Sequence, residues 1–95
     1  MIVVRNIFQL QFGKAKEGIP LLKEMAALSP EGSVRILADV TGDFYTMVLE
    51  ETAADLADVE ARARAEMSHP SWGALYARFT PLVMSGRREV FRTVE

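Results

Sequence analysis

The sequence predicts an α+β fold in which a four-stranded antiparallel sheet carries its helices on one face. Three observations predict it. Strand-like and helix-like periodicities alternate in the order β-α-β-β-α-β. A short turn segment joins the second and third strands, which makes them a hairpin. The chain has 95 residues, enough for one domain spanning 1–95 with one core.

From Ile2 to Phe12 the residues Ile2, Val4, Phe8, Leu10 and Phe12 share one parity, the period of two that puts them on one face of a strand. Asn6 falls on that same face. Gly13 breaks the strand, and Ala15, Ile19, Leu22 and Ala26 then recur at helical spacing between about Lys14 and Leu28. Pro20 lacks an N–H and is tolerated only near a helix start, so the regular part of this first helix is expected from about Gly18. Ser33 to Val40 alternates again, with Val34, Ile36, Ala38 and Val40 on one side. Thr41-Gly42-Asp43 turns the chain into Phe44 to Glu51, apolar on both parities, the pattern of a central strand covered on both sides. Thr52 followed by Asp55 resembles a capping box, and Leu56, Val59, Ala63 and Met67 mark a second helix. His69-Pro70 interrupts it, because the residue before proline leaves the helical region. A third helix follows, with Trp72, Leu75, Tyr76 and Phe79 along one face. Pro81 ends it, Gly86 is the expected terminus, and Arg87 to Val94 forms a charged fourth strand suited to a sheet edge.

This order is the ferredoxin-like βαββαβ unit. Right-handed crossovers place both helical layers on one side of the sheet, with the third strand between the first and second. The other face is left bare, and Arg5, Ile7, Gln9, Leu37, Met47 and Leu49 are expected on it. An apolar patch of that kind calls for a cover, and the simplest cover is a second copy of the chain, which gives a homodimer with sheets face to face. Arg5 and Arg35 are then expected to pair with Asp39 or with a glutamate of the partner chain.

Composition narrows the function classes. A net charge of -2, from 13 acids and 11 bases, offers no field for nucleic acid or anionic lipid. The absence of cysteine removes disulfides, thiolate catalysis and Cys-ligated metal. The beginning MIVVRNIF does not read as a signal peptide, and no apolar run approaches the roughly 20 residues of a spanning helix. The expected compartment is the cytoplasm. No phosphate-cradling loop, nucleophile elbow or dinucleotide fingerprint is present.

The chain resembles the dimeric α/β-barrel superfamily, in particular its NIPSNAP-like and antibiotic-biosynthesis-monooxygenase-like members. The resemblance runs through the element order of nearly the whole chain. Locally it rests on RNIFQLQFGKAKEGI, a strand passing through Gly into a helix, and on HPSWGALYARFTPLV, similar to the Trp to Pro-Leu segment of NIPSNAP-like domains. It implies pairing as a dimeric α/β barrel. It also implies a pocket between sheet and helices into which a first-strand Asn, here Asn6, points. Members of the superfamily include cofactor-free oxygenases of polycyclic aromatic substrates and haem-degrading enzymes. In the haem branch the axial His lies on the helix after the break, where this chain has Tyr76, with His69 ahead of it.

Each candidate residue has two readings. Asn6 interrupts an apolar face: it either holds a ligand oxygen or is satisfied by backbone or water, since a buried amide without partners costs about 1–3 kcal/mol. His69, the only histidine, is a catalytic candidate as a proton acceptor near neutral pH, or the cap of the helix break. Alone it cannot build a two-His metal site, and neither metal nor cofactor is expected. Trp72, Tyr76 and Phe79 either stack on a flat ligand or are core, with the Tyr76 hydroxyl the group most in need of a partner. The leading expectation is a homodimeric barrel that binds a small apolar or aromatic molecule between helices and sheet, or serves a structural role, without demonstrable catalysis. The alternative is a cofactor-independent monooxygenase acting on a polycyclic phenol or quinol. In it Asn6 and Tyr76 hold the substrate oxygen, Trp72 packs on the ring and His69 takes a proton. A third reading is haem binding through Tyr76 or His69.

Overall fold

A computed structural model describes residues 1–95. The elements are β1 (Ile2–Leu10), α1 (Ala15–Ala26), β2 (Val34–Ala38), β3 (Thr46–Ala53), α2 (Leu56–Met67), α3 (Trp72–Phe79), a 3₁₀ turn at Thr80–Leu82, and β4 (Val83–Arg92). The strands form one antiparallel sheet in the order β2-β3-β1-β4. This is the ferredoxin-like arrangement. All helices lie on one face, and the molecule is a slab of 37 × 33 × 20 Å whose thin axis holds one sheet and one helical layer.

Cross-strand register assigns the helix-facing side. Ala38, Met47, Phe8 and Gly86 form one row across the sheet; Ile36, Leu49, Asn6 and Arg88 form the next; Val34, Glu51, Val4 and Val90 form the third. Met47 and Leu49 therefore point to the helices, and the expectation that they face outward is corrected. The reason is that β3 is apolar on both parities, so its pattern does not mark its inner side. Leu21, Leu22 and Met25 of α1, Leu75 and Phe79 of α3, and Leu82 close over Leu10 and Met47 to make the core.

Several boundaries also differ from expectation. β1 stops at Leu10 because Gly13 turns with φ 83°, which carries Phe12 off the sheet and leaves it 75% exposed. Regular α1 begins at Ala15 despite Pro20. Pro20 and Lys16 both lie on the exposed side, so the Lys16 carbonyl that proline leaves without an N–H faces water. The hairpin loop is wider than a tight turn: Gly42 and Tyr45 take positive φ, and Phe44 and Tyr45 fall outside β3. The second helix is capped by Asp55, whose side chain accepts the Asp58 N–H at 2.8 Å, while Asp58 Oδ2 accepts the Ala54 N–H at 3.1 Å. Thr52 instead belongs to β3. Gly86 sits inside β4, covered by the Phe8 ring, because that strand begins four residues earlier than the charge pattern suggests.

On the outer face Glu50 joins Arg5 and Arg35 across three strands, with Arg5 Nε to Oε2 at 2.8 Å and Arg35 Nε to Oε1 at 2.6 Å. The arginines thus pair within the chain, not with Asp39, which accepts the Thr46 N–H at 2.9 Å. The Arg5 guanidinium also lies 5.4 Å from the Phe91 ring centroid.

Candidate functional site

Helix α2 sets up the site by what it fails to bury. None of its residues is buried. Its N-terminus is tied to the end of β3 by polar bonds: Arg62 Nη1 donates to the Thr52 carbonyl at 2.6 Å and Arg62 pairs with Asp58 at 3.0 Å. Ala63 is the small residue that the helix presents to the space that remains. A cavity of about 490 Å³ remains between α2, α3 and the sheet.

All four candidate ligand-binding residues meet there. Asn6 and Phe8 of β1 and Leu49 of β3 contribute the sheet wall, and Trp72, Tyr76 and Phe79 of α3 the opposing one. Trp72 and Tyr76 are stacked, with ring centroids 5.8 Å apart and planes at 25°. Phe79 is 2% exposed and meets Phe8 edge-on at 5.1 Å, so it belongs to the core and also lines the cavity. Tyr76 is 52% exposed and stands at the mouth. The core reading and the pocket reading of this stripe are thus divided along the helix: Leu75 and Phe79 face the core, while Trp72 and Tyr76 face the cavity.

His69 does not line the cavity. Its Nδ1 accepts the Ser71 N–H at 3.1 Å and its carbonyl accepts the Trp72 N–H at 3.0 Å, which makes it the cap of the helix break. No group of three or more His, Cys, Asp or Glu side chains is gathered to hold a metal ion.

Two polar pairs that sequence reasoning missed enter the same cavity. Arg88, opposite Asn6 in the register, donates from Nε to Asn6 Oδ1 at 2.7 Å. This is the one hydrogen bond of the Asn6 side chain, and it orients the amide so that both Nδ2 donors are left for a ligand. Ser29, just beyond α1, donates to Glu66 of α2, and both line the cavity. Arg88 was legible only as an edge charge. A lone Asn on an apolar strand face is a signal that some polar partner lies across it, but naming the partner requires the register.

Electrostatics distinguish the two faces of the sheet. Burial beneath α2, and next the charge of Glu66, push the Glu51 carboxyl above its ordinary value. On the outer face the hydrogen bonds from Arg5 and Arg35 hold Glu50 below its ordinary value. Glu50 is 5% exposed because the two arginine side chains lie over it, not because it is deep in the fold. A second depression of about 340 Å³ opens near the hairpin loop, but Ile7 is its one hydrophobic lining residue, so it offers no apolar wall to an organic ligand.

No family model and no curated protein matches the sequence. Solved structures do match the fold. A NIPSNAP family protein from Agrobacterium tumefaciens superposes with a TM-score of 0.86 at 20% identity, covering 99% of this chain and 86% of that one. An uncharacterized NIPSNAP domain protein from Burkholderia xenovorans gives 0.83 at 15%, covering 99% and 95%. An antibiotic biosynthesis monooxygenase gives 0.77 at 13%, covering each chain in full. The chain shares the fold of these proteins.

Proposed function

We propose that this single-domain chain is a cytoplasmic homodimer that binds a small, largely apolar molecule between its sheet and its helices, without catalysis of its own. One observation carries the reading: a cavity of about 490 Å³ in which free amide donors of Asn6 face an aromatic wall of Trp72 and Tyr76. Sites for small organic ligands have this size, roughly 300–1,000 Å³, and this mix of apolar walls with a few placed polar groups. Asn6 anchors a ligand oxygen, Trp72 and Tyr76 cover the flat body, and Phe79 closes the end. Trp72 is the only tryptophan, so its fluorescence reports occupancy directly. Titration with a panel of polycyclic phenols and aromatic acids should change Trp72 emission saturably in wild type, with weaker binding in Asn6→Ala. A flat response to the whole panel overturns the reading.

The homodimer rests on the outer face of the sheet. Leu37 and Phe91 are exposed there beside half-buried Val3, Ile7 and Val48. On that face Arg5 and Arg35 share the Glu50 carboxylate and Arg87 pairs with Glu89, so each of these ions has a partner before a second copy covers it, the three-residue cluster keeping a net charge of +1. Sedimentation should show a dimer at micromolar concentration, and a monomer refutes this part. No helix is long and apolar enough to cross a membrane; the cytoplasmic placement rests on that together with the absence of cysteine.

A second reading draws on the same donors. A polycyclic phenol or quinol held as its anion by Asn6 and Tyr76 would reduce dioxygen, one oxygen atom staying on the ring carbon and the other leaving as water, as a cofactor-independent oxygenase does. The free Nδ2 donors of Asn6 are the observation that favours it. His69, the proton acceptor expected for it, lies outside the cavity lining with its Nδ1 on the Ser71 N–H. Oxygen uptake with the phenolic panel tests it, and no uptake with a bound ligand leaves binding alone.

A further inference from the structure

We infer that the ligand of this cavity is an amphipathic monoanion, a flat apolar body bearing one carboxylate, and that Arg88 holds the carboxylate. The inference rests on the small-molecule reading above and adds the chemical class. Of the chain's eight arginines, Arg5, Arg35, Arg62, Arg64 and Arg87 each form an ion pair with a carboxylate. Arg88 forms none, although it lines the cavity and Glu51 lies near enough to feel its charge. Its Nε is engaged by a neutral amide oxygen, Asn6 Oδ1 at 2.7 Å, which fixes the plane of the guanidinium and leaves the Nη donors free. The amide nitrogen of Asn6 shares a carbon with Oδ1, so its two donors lie beside those of Arg88. The result is a cluster of N–H groups with no acceptor, next to walls of Leu49, Trp72 and Phe79.

An oxyanion is the species that such a cluster recognises, because an ionised acceptor forms shorter and stronger bonds to a guanidinium fork than a neutral one does. Glu66 limits the charge. It lines the same cavity with only a serine hydroxyl as hydrogen-bond donor, and Glu51 lies close enough to respond to it. A second negative charge on the ligand would meet these carboxylates, so a dianion such as a phosphate monoester fits less well than a carboxylate.

The test compares 2-naphthoate with 2-naphthamide, which share a ring body and differ in charge, by isothermal titration calorimetry at low salt. Naphthoate should bind wild type at least about tenfold more tightly. Arg88→Met should abolish the preference, naphthoate affinity falling by more than naphthamide affinity does. Arg88→Lys should restore part of it, since an ammonium keeps the charge but not the fork. Arg88 is exposed on an edge strand, and melting temperatures verify that each variant folds; should Arg88→Met not fold, Arg88→Lys carries the comparison. Equal affinity of the two probes for wild type overturns the anion assignment and leaves the cavity reading in place. A preference that survives Arg88→Met overturns the role of Arg88. No heat from either probe at millimolar concentration overturns the cavity reading and this inference with it.

Discussion

Substituting Asn6→Asp separates what Asn6 does for the scaffold from what it does for a ligand. In the fold its side chain makes one bond, accepting Arg88 Nε at 2.7 Å through Oδ1. Aspartate keeps that acceptor and converts the bond into an ion pair at an exposed site. The neutral bond contributes about 1 kcal/mol net, and an exposed ion pair about 0.2–1 kcal/mol. Stability should therefore change by less than about 1 kcal/mol, which in a domain of this size shifts the melting temperature by less than about 8 °C. Binding should respond quite differently. Both Nδ2 donors disappear and the new charge neutralises Arg88, so affinity for 2-naphthoate should fall by at least about tenfold. Chemical denaturation and calorimetry on the same preparation supply both numbers. Asn6→Ala serves as the intermediate case, costing about 1 kcal/mol of stability but leaving the Arg88 charge free to attract the ligand. A loss of about 3 kcal/mol in Asn6→Asp with unchanged affinity would refute the reasoning, because it would show Nδ2 bonded within the fold.

A Cβ at Gly18 would stand 2.7 Å from Leu10 Cδ1, and Leu10 is 1% exposed with no room to retreat. Gly18→Ala should therefore lose about 1 kcal/mol by urea denaturation, overpacking of about 1–3 kcal/mol outweighing the helix-propensity gain. Gly73, with nothing within 4 Å of a built Cβ, should gain up to about 1 kcal/mol on the same change, and the reverse ranking would count against this packing. Glu50 is held below its ordinary value of 4.5, so its ion pairs stabilise the fold above that pH and the contribution is lost as pH falls through the lowered value. Glu50→Gln should be destabilised at pH 7, and the difference from wild type should close under acid. Glu51 is shifted the other way, so its charge opposes folding at neutral pH and protonation relieves the strain as pH falls through the raised value. Glu51→Gln should raise the urea midpoint at pH 8, with the gain shrinking at pH 5.

Much of the fold was legible because periodicity is a local property of the backbone. The alternation of β1 and the stripe of α3 needed only their own residues, and each element they predicted is present. The faces of β3 were not legible. Its two parities are both apolar, and a slip of one residue exchanges them, so pairing with Val4, Asn6 and Phe8 had to decide which side is inner. The wide hairpin loop was hidden for a related reason: Phe44 and Tyr45 have strand-forming side chains, yet Phe44 is 69% exposed and Tyr45 adopts φ 61°.

The site divides in the same way. Asn6 stood out as the lone polar residue on an apolar strand face, and Trp72 and Tyr76 as an aromatic pair at helical spacing. The partner of Asn6 lies 82 residues away, and its place beside the amide is a consequence of β1–β4 register. Glu66 of α2 and Ser29, 37 residues earlier and just beyond α1, meet only in the folded chain. The sequence by itself determined the element order, the layers that follow from it and the polar interruption at Asn6. Tertiary structure alone decided that α2 stands off the sheet and that the room beneath it is lined by Asn6, Arg88, Trp72 and Tyr76, because a cavity is a property of how elements fail to fill space, and no single element records it.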